Sequence, residues 1–310
     1  MLGLLGLLAL GLVIAILAMT GYTVRMLAHP PRRTYASALA RSTAGDPGEV
    51  SPASGGPYRF EAWTFDSRGN ILHAWDVPGR DPTGPVVVFV HGWGDSRIGA
   101  LSRLPAFAAL ASRMVMFDLP GHGDSGGTCS LGVREVQDMD ALMERIGSTH
   151  PVVLVGWSMG AGIVIAFAAG GATGSNRVAA VIAESPYRFG PTPAQNVLIA
   201  ARQPHRINVP LAFACLGLQH GLGIRGFSGP GFDRALHASK LFVPLLVVHG
   251  SDDRTSPPAD GKLIAQAAPK GEFLAVPDAG HHGLWTNPQT AAMVGQACED
   301  FVARALVQRG

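Results

Sequence analysis

Two serines lie in the pentad Gly-x-Ser-x-Gly, in which small neighbours leave a hydroxyl free to act as a nucleophile. The pentads are Gly123–Gly127 (GDSGG) and Gly156–Gly160 (GWSMG). Ser158, in the second pentad, follows the apolar run PVVLVGW and precedes the helix-like run MGAGIVIAFAA. A strand, a sharp turn and a helix are the elements that expose a serine Oγ, and the helix N-terminus favours negative charge beside it. Ser158 is therefore the predicted nucleophile.

Ser125, in the first pentad, lies in the loop-like segment PGHGDSGGTCS, which no apolar helix follows. GDSGG also resembles the signature of chymotrypsin-type serine proteases. Those enzymes have an all-β body, with the catalytic His and Asp upstream of the Ser. Because the runs around both pentads indicate an α/β chain instead, we interpret Ser125 as a loop residue.

Candidate acids and bases follow later strand-like runs. The run VPLLVVHG leads to Asp252 and Asp253, EFLAVP leads to His281 and His282, and Glu184 directly follows VAAVIA. A carboxylate at a strand end can orient an imidazole, which then takes the serine proton. Asp253 and His281 are the predicted acid and base, in the chain order Ser…Asp…His. From the residues alone, Asp252 and Glu184 stay open as acids and His282 as the base.

A glycine-rich turn, HGWGDS from His91 to Ser96, follows the strand-like run PVVVFV. Such a turn can point backbone N–H groups at an oxyanion that develops during acyl transfer. The predicted donors are the N–H of Trp93 and the N–H of Met159, the residue after the nucleophile. We expect the side chain of His91 to hold the turn.

The elements that must position these residues alternate along the chain after Tyr58. Val-rich runs predict buried strands at Pro85–Val90, Met114–Phe117, Pro151–Val155, Val178–Ala183, Val243–Val248 and Phe273–Val276. Helices are predicted at Leu101–Ser112, Val133–Ile146, Met159–Ala169, Pro258–Ala268 and Gln289–Val307. This alternation predicts an α/β fold with a mostly parallel central sheet flanked by helices.

Two segments depart from the alternation. Arg59–Phe65 and Ile71–Val77 are joined by SRGN, which predicts an antiparallel hairpin. Residues 186–240 contain the helical pieces Ala194–Arg202 and Leu211–His220 between glycine-rich turns, which predicts a short cap insertion. We expect that insertion, with Trp93 and Trp157, to wall an acyl pocket.

Composition excludes several classes of protein. Of 310 residues only 15% are charged, against about 25% in a typical soluble domain. A net charge of +2 predicts no nucleic-acid partner. Three cysteines, far apart in the chain, form no CxxC motif, and the histidines form no metal-ligand spacing, so no metal or cofactor is predicted.

The N-terminus accounts for part of the low charge. Residues 1–24 carry no charged side chain and are long enough to span a bilayer, which takes about 20 helical residues, so they predict a single-pass transmembrane anchor. A cleaved signal peptide would have a basic start and a cleavage site, and a terminal, wholly apolar helix is a poor core helix. Residues 25–57 are rich in Pro, Gly, Ser and Ala and predict a linker, which leaves one domain at 58–310. Arg25, Arg32, Arg33 and Arg41 follow the span, so the positive-inside rule predicts a cytoplasmic domain.

From Tyr58 onward, five ordered motifs resemble the α/β-hydrolase family. HGWGDS is similar to its oxyanion turn, FDLPGHGDSGG to its loop after the fourth strand and GWSMG to its elbow. HGSDD is similar to its acid turn, which selects Asp253, and AGHHG to its late GH motif, which selects His281. The anchor followed by HPPRR is similar to the membrane-anchored bacterial serine hydrolases of the family.

The resemblance implies a serine hydrolase that cleaves an ester, thioester or amide of a small or lipid-like acyl substrate through an acyl-enzyme. An acyltransferase with the same triad and a non-catalytic binding protein on the same fold are the alternatives. Fold alone does not choose among the family's activities.

Overall fold

The structure is a computed structural model that describes residues 2–50, 57–147, 150–170 and 175–308. The strands are β1 (Glu61–Ser67), β2 (Asn70–Pro78), β3 (Val86–Val90), β4 (Arg113–Phe117), β5 (Val152–Trp157), β6 (Val178–Glu184), β7 (Leu245–Gly250) and β8 (Gly271–Val276). The helices are α1 (Leu2–Ala28), α2 (Tyr35–Leu39), α3 (Leu104–Phe107), α4 (Glu135–Ile146), α5 (Met159–Ala169), α6 (Pro191–Ala200), α7 (Asn208–Gln219), α8 (Arg234–Ala238), α9 (Pro258–Ala267) and α10 (Pro288–Val307).

All eight strands form one sheet in the order β1-β2-β4-β3-β5-β6-β7-β8. β2 runs antiparallel to both of its neighbours, and the pairs from β4 to β8 are parallel. Every residue of β3, β5, β6 and β7 is buried, as expected of parallel strands covered by helices on both faces. This burial explains their unbroken Val-rich sequences and confirms the predicted α/β fold.

The predicted hairpin is formed by β1 and β2, which pair from Glu61 and Asp76 to Ser67 and Asn70. The two residues of its turn, Arg68 and Gly69, have φ values of +53° and +76°. Positive φ at both central positions is the turn geometry that suits the twist of paired strands.

Two apolar cores lie on opposite faces of the sheet. One includes residues of α4, α5, α7 and α9. The other includes residues of α2, α3 and α10. The sheet separates these two cores. The predicted site residues lie at the carboxyl ends of its central strands.

The predicted helix at Leu101–Ser112 is wrong over most of its length, because only Leu104–Phe107 is α-helical. Pro105 has no amide N–H and its ring would clash with the carbonyl four residues earlier, so a helix cannot run through it from Leu101. Pro105 instead occupies the first turn of α3, where an amide donor is not needed.

Helix α1 runs to Ala28, four residues beyond the predicted span of 1–24. Among the described residues it is the one helix long and apolar enough to cross a membrane, with a mean hydropathy of 2.5 and most of its side chains exposed. Its last turns contact the insertion: Asn208 Nδ2 of α7 donates to Thr23 Oγ1 at 3.2 Å. Val24 and Leu27 pack against the core that contains α7.

Much of the predicted linker, 25–57, is ordered against the domain. It contains α2, which begins at a Thr34 cap, and a 3-10 turn at Pro47–Glu49. Ala38 is fully buried in the core on the α3 and α10 side. Residues 51–56, the end of the predicted linker, lie outside the described residues.

Candidate active site

The turn between β5 and α5 holds Ser158 in a strained conformation, with φ at +54° and ψ at −116°. Non-glycine residues with positive φ cost free energy and cluster at functional sites. The turn needs glycine on both sides: a Cβ at Gly156 would lie 2.4 Å from the Gly160 carbonyl oxygen, and one at Gly160 would lie 2.0 Å from the Val90 oxygen. The local sequence therefore allows β3, β5 and α5 to approach closely with the serine side chain projecting from the turn.

Three predicted site residues meet at this turn. His281 Nε2 lies 3.0 Å from Ser158 Oγ, and His281 Nδ1 lies 2.7 Å from Asp253 Oδ2. Ser158 follows β5, Asp253 follows β7 and His281 follows β8, so each comes from the carboxyl end of a parallel strand. The imidazole is thus hydrogen-bonded to a hydroxyl on one side and a carboxylate on the other.

The Asp253 carboxylate is buried and fully engaged. Its Oδ1 accepts the backbone N–H groups of Thr255 and Ser256 at 2.9 and 2.8 Å, and its Oδ2 also lies 3.2 Å from His249 Nε2. Burial opposes ionisation, but the hydrogen bonds from His249 and His281 outweigh it and hold the pKa of Asp253 well below its usual range. Asp253 is therefore an anion that faces His281 throughout the neutral pH range.

The other candidate acids lie elsewhere. Asp252 is exposed, and its hydrogen bond comes from Ser251 Oγ at 3.3 Å. Glu184 accepts from Arg103 Nε at 3.1 Å to both carboxylate oxygens, and from Trp285 Nε1 at 3.0 Å. Among the described residues, neither carboxylate contacts His281.

The remaining candidates for nucleophile and base are also set apart. Ser125 Oγ donates to the Asp118 carbonyl at 2.7 Å and accepts the His73 N–H at 2.9 Å, so it joins two backbone segments. His282 stacks edge-on against His281. Burial and then the neighbouring His281 lower the pKa of His282, so His282 is neutral at pH 7.

The two predicted oxyanion donors, Trp93 and Met159, belong to segments that contact or follow Ser158. Met159 is the first residue of α5, where the amide N–H has no partner within the helix. A Cβ at Gly92 would lie 3.1 Å from Ser158 Cβ, so the turn that carries Trp93 touches the nucleophile. His91 supports this turn, because its Nδ1 bonds the Gly92 carbonyl at 2.7 Å and its Nε2 accepts the Leu119 N–H at 2.9 Å.

Residues 27–50, which we call the strap, lie across this turn. Trp93 Nε1 donates to the Leu27 carbonyl, at the end of α1, at 3.0 Å. Arg32 Nη1 donates to the carbonyls of Gly123 and Ser125, both at 2.8 Å. These contacts join the end of the apolar helix to the loops that surround the nucleophile.

Asp95 connects the strap to the elbow. Its Oδ1 accepts from Arg33 Nη1 at 2.7 Å, and its Oδ2 accepts from Trp157 Nε1 at 3.0 Å. Burial raises the pKa of Asp95, but the charges of Arg33 and His91 and the hydrogen bonds from Ser96 and Arg33 together outweigh that effect, and the net pKa is lowered. An ionised Asp95 therefore bridges the strap and the residue that precedes Ser158.

A cavity of about 540 Å³ opens beside Ser158 and His281. Its walls come from five segments: 33–50, 95–105, 157–158, 184–185 and 281–286. The strap supplies Arg33, Arg41, Thr43, Ala44 and Val50 to this wall.

The expectation that residues 186–240 and Trp93 wall this pocket is wrong. All of the insertion is described, and none of it lines the cavity; nor does Trp93, although Trp157 does. Phe213 and Phe227 of the insertion pack instead in the core on the face of the sheet that α4 and α5 cover. The strap occupies the side on which the cavity opens.

Three features of the site escaped the sequence reasoning. His249, four residues before Asp253, is a buried strand residue whose ring contacts that carboxylate. Ser185 and the Arg103–Glu184 pair line the cavity. The sequence signal for these residues is a polar residue inside or directly after a Val-rich strand. Such a residue is buried, and a buried polar group needs a hydrogen-bond partner.

Comparison with known proteins places the chain in a family. Residues 87–294 match the model of the alpha/beta hydrolase family. A monoacylglycerol lipase from Mycolicibacterium smegmatis is 29% identical over 259 residues, which is 73% of this chain and 91% of the lipase. The sequence similarity to this lipase therefore covers most of the chain.

Solved structures share the fold. An esterase from Pyrococcus furiosus superposes with a TM-score of 0.64 at 16% identity, covering 90% of this chain and 98% of the esterase. A bacterial membrane phospholipase A superposes with a TM-score of 0.60 at 17% identity, covering 96% of this chain and 98% of the phospholipase. With the match over two thirds of its length, the chain belongs to the alpha/beta hydrolase family.

Proposed function

We propose that this protein is a membrane-anchored serine hydrolase that cleaves carboxylic esters through an acyl-enzyme on Ser158. One observation carries the proposal: the continuous hydrogen-bonded chain from Ser158 Oγ through His281 to Asp253, at the wall of an open cavity. A serine, an imidazole and a buried carboxylate in this order are the parts that nucleophilic acyl transfer requires.

In the acylation step, Ser158 Oγ attacks the substrate carbonyl carbon while His281 Nε2 takes the hydroxyl proton. The N–H groups of Trp93 and Met159 stabilise the oxyanion of the tetrahedral intermediate. Its collapse breaks the bond to the leaving alcohol, which receives the proton from His281. Asp253 holds Nδ1–H of the ring and stabilises the imidazolium that forms between these two transfers.

In the deacylation step, a water molecule replaces the alcohol. His281 takes a proton from the water as its oxygen attacks the acyl carbon, and then returns that proton to Ser158 Oγ as the acid product leaves. Throughout both steps, the contact between His281 Nδ1 and Asp253 Oδ2 keeps the ring oriented toward Ser158.

The anchor is the second part of the proposal. Helix α1 has the length and hydropathy of a membrane span, and the strap fixes its end to the oxyanion turn at Trp93. We expect the cavity to lie near the membrane surface, where lipid-like esters are concentrated. The lipase relative and the membrane phospholipase with the same fold support this substrate class.

Steady-state hydrolysis tests the chemistry. With the full chain in a neutral detergent, we expect p-nitrophenyl butyrate to be hydrolysed, and Ser158→Ala to reduce kcat by about 10⁴-fold or more, since loss of a triad member has effects of that size. Ser239→Ala, an exposed serine that ends α8, is the matched control and should retain full activity. Full activity of Ser158→Ala would overturn the proposal.

The same preparation separates the alternatives. A panel of acyl esters, thioesters and peptide amides defines the bond that is cleaved, and an added alcohol acceptor reveals an acyltransferase by its ester product. Failure of Ser158 to react with a fluorophosphonate would indicate a non-catalytic binding protein. The cytoplasmic orientation proposed from the four arginines predicts that the domain resists protease added to intact cells.

A further inference from the structure

The cavity beside Ser158 carries one positive charge that no acid among the described residues offsets. Arg33 is paired with Asp95, Nη1 to Oδ1 at 2.7 Å, and Arg103 is paired with Glu184, with Nε 3.1 Å from each carboxylate oxygen. Arg41 lines the same cavity and, among the described residues, its guanidinium has neither a hydrogen bond nor an ion pair. The wall therefore presents an unused cationic group to a ligand.

The backbone holds Arg41 at this wall. Its N–H donates to the Ala38 carbonyl at 3.0 Å, and the Thr43 N–H donates to the same oxygen at 3.1 Å. Between them Ser42 adopts a φ of +54°, which closes a tight turn after α2. Because Ala38 is fully buried, the turn is attached to the core and is not a free part of a linker.

A second polar group in the wall also lacks a partner. Ser185 is 2% exposed and lines the cavity directly after β6, and its Oγ has no hydrogen-bond partner among the described residues. Its φ is +46°, a strained value for a residue with a side chain. A buried hydroxyl without a partner costs free energy, and an oxygen of a bound substrate would remove that cost.

We propose that this cavity binds esters that carry an anionic group, a carboxylate or a phosphate, with Arg41 pairing with the anion and Ser185 donating to a substrate oxygen. A guanidinium suits both anions because its N–H groups match two of their oxygens. The inference rests on the proposed hydrolase function and adds the substrate class that the same site selects.

Two pairs of substrates test the inference with the full chain in neutral detergent. The first pair is the p-nitrophenyl monoester of glutaric acid against p-nitrophenyl pentanoate, which have equal acyl length and differ in a carboxylate. The second pair is 1-acylglycerol 3-phosphate against 1-monoacylglycerol of the same acyl chain, which differ in a phosphate. The pairs distinguish an anion on the acyl side from one on the alcohol side.

We expect the wild type to favour the anionic member of at least one pair by about tenfold in kcat/KM, the size of one ion pair near a protein surface. Arg41→Ala should remove that preference, because it should lower kcat/KM for the anionic member far more than for the neutral member, and Arg41→Lys should keep part of it. Arg206→Ala, which removes an exposed arginine of the insertion, is the matched control and should keep all of it. The preference should weaken as salt is added.

Three results would overturn the inference. The wild type could show no preference in either pair, Arg41→Ala could retain it, or Arg41→Ala could alter only the binding of anionic lipid vesicles, which would make Arg41 a membrane contact. None of these results touches the hydrolase proposal, which is tested separately by the activity of Ser158→Ala and by fluorophosphonate labelling of Ser158.

Ser185→Ala tests the second contact. We expect KM for the preferred substrate to rise about three- to tenfold, the cost of one lost hydrogen bond, while the thermal midpoint stays the same or rises because an unpartnered buried hydroxyl is removed. An unchanged KM would exclude Ser185 from the binding site.

Discussion

Two regions of the molecule have roles opposite to those that their sequences predict. They are the strap, residues 27–50, and the insertion, residues 186–240. The strap lies within residues 25–57, whose Pro, Gly, Ser and Ala content predicts a linker, yet it supplies one wall of the cavity beside Ser158. The insertion has apolar helices that suit an acyl pocket, yet it packs against α1 and the α4–α5 core and contributes nothing to that cavity. Composition shows that a segment is apolar or flexible, and only the fold shows what it contacts.

The largest difference between the two regions is expected in stability. Phe227 of the insertion is 1% exposed, with its ring 5.3 Å from Phe213 and 5.1 Å from Phe232. Phe227→Ala should lower the free energy of unfolding by about 3–5 kcal/mol, as for other buried aromatic truncations. Denaturant unfolding measures this, and KM for a short ester should be unchanged. A raised KM in the folded Phe227→Ala variant would show that the insertion contributes to substrate binding.

The next largest effect is expected in activity, at the contact between strap and elbow. Asp95→Ala leaves Arg33 and Trp157 without their shared acceptor, so we expect kcat/KM to fall about ten- to a hundredfold, the value of hydrogen bonds to a charged group. Asn208→Ala removes the hydrogen bond between insertion and anchor and is the matched variant. It should change kcat/KM less than twofold, and equal losses in the two variants would contradict the difference drawn between the regions.

Acid should destabilise the protein through one histidine in a loop beside the strap and one histidine in the insertion. Burial lowers the pKa of His122, in the loop that Arg32 of the strap contacts, to about 3, and burial together with Arg234 lowers that of His237 in the insertion to about 4. A group whose folded pKa lies below its unfolded value near 6.5 stabilises the folded state above pH 6.5, and this stabilisation is lost as the pH falls.

For the fully buried His122 this loss is about 2 kcal/mol at pH 5. The partly exposed His237 should contribute less, because solvent screens it. Unfolding free energies measured at pH 7 and pH 5 test this: His122→Gln should reduce the pH dependence more than His237→Gln does. If His237→Gln reduced the pH dependence more, the loop that holds His122 would be more accessible to solvent than α8.

The smallest effect separates pocket volume from stability. Ala44 lies in the strap wall, and Ala44→Phe should raise KM for long acyl esters a few-fold by filling part of the cavity. Because Ala44 is only partly buried, the thermal midpoint should change little. If Ala44→Phe leaves KM for long acyl esters unchanged, the acyl chain lies outside this cavity.

The sheet and the elbow could be predicted because their sequence signals are local. Val-rich runs identify strands buried on both faces, and the predicted helix Met159–Ala169 has the bounds of α5. The rule that residues after parallel strands meet at the same sheet edge brings the candidate acids and bases near Ser158. The resemblance to the family then selects Asp253 and His281 among them. The structure adds the distances between them.

The strap could not be predicted because its contacts are distant in sequence. Arg32 bonds carbonyls 91 and 93 residues away, and Arg33 bonds an aspartate 62 residues away. A lone arginine in a Pro-rich segment looks the same whether it is solvated or paired. Ser185 was missed for a similar reason, since a left-handed serine after a strand has no distinct sequence pattern.

Covalent labelling tests the central claim most directly. The full chain is treated with a fluorophosphonate and digested, and the modified peptide is sequenced by mass spectrometry. The account predicts one adduct, on Ser158, which is lost in His281→Asn because the hydroxyl then lacks its base. An adduct on Ser125, the serine of the other Gly-x-Ser-x-Gly pentad, or a Ser158 that stays unlabelled, would contradict it.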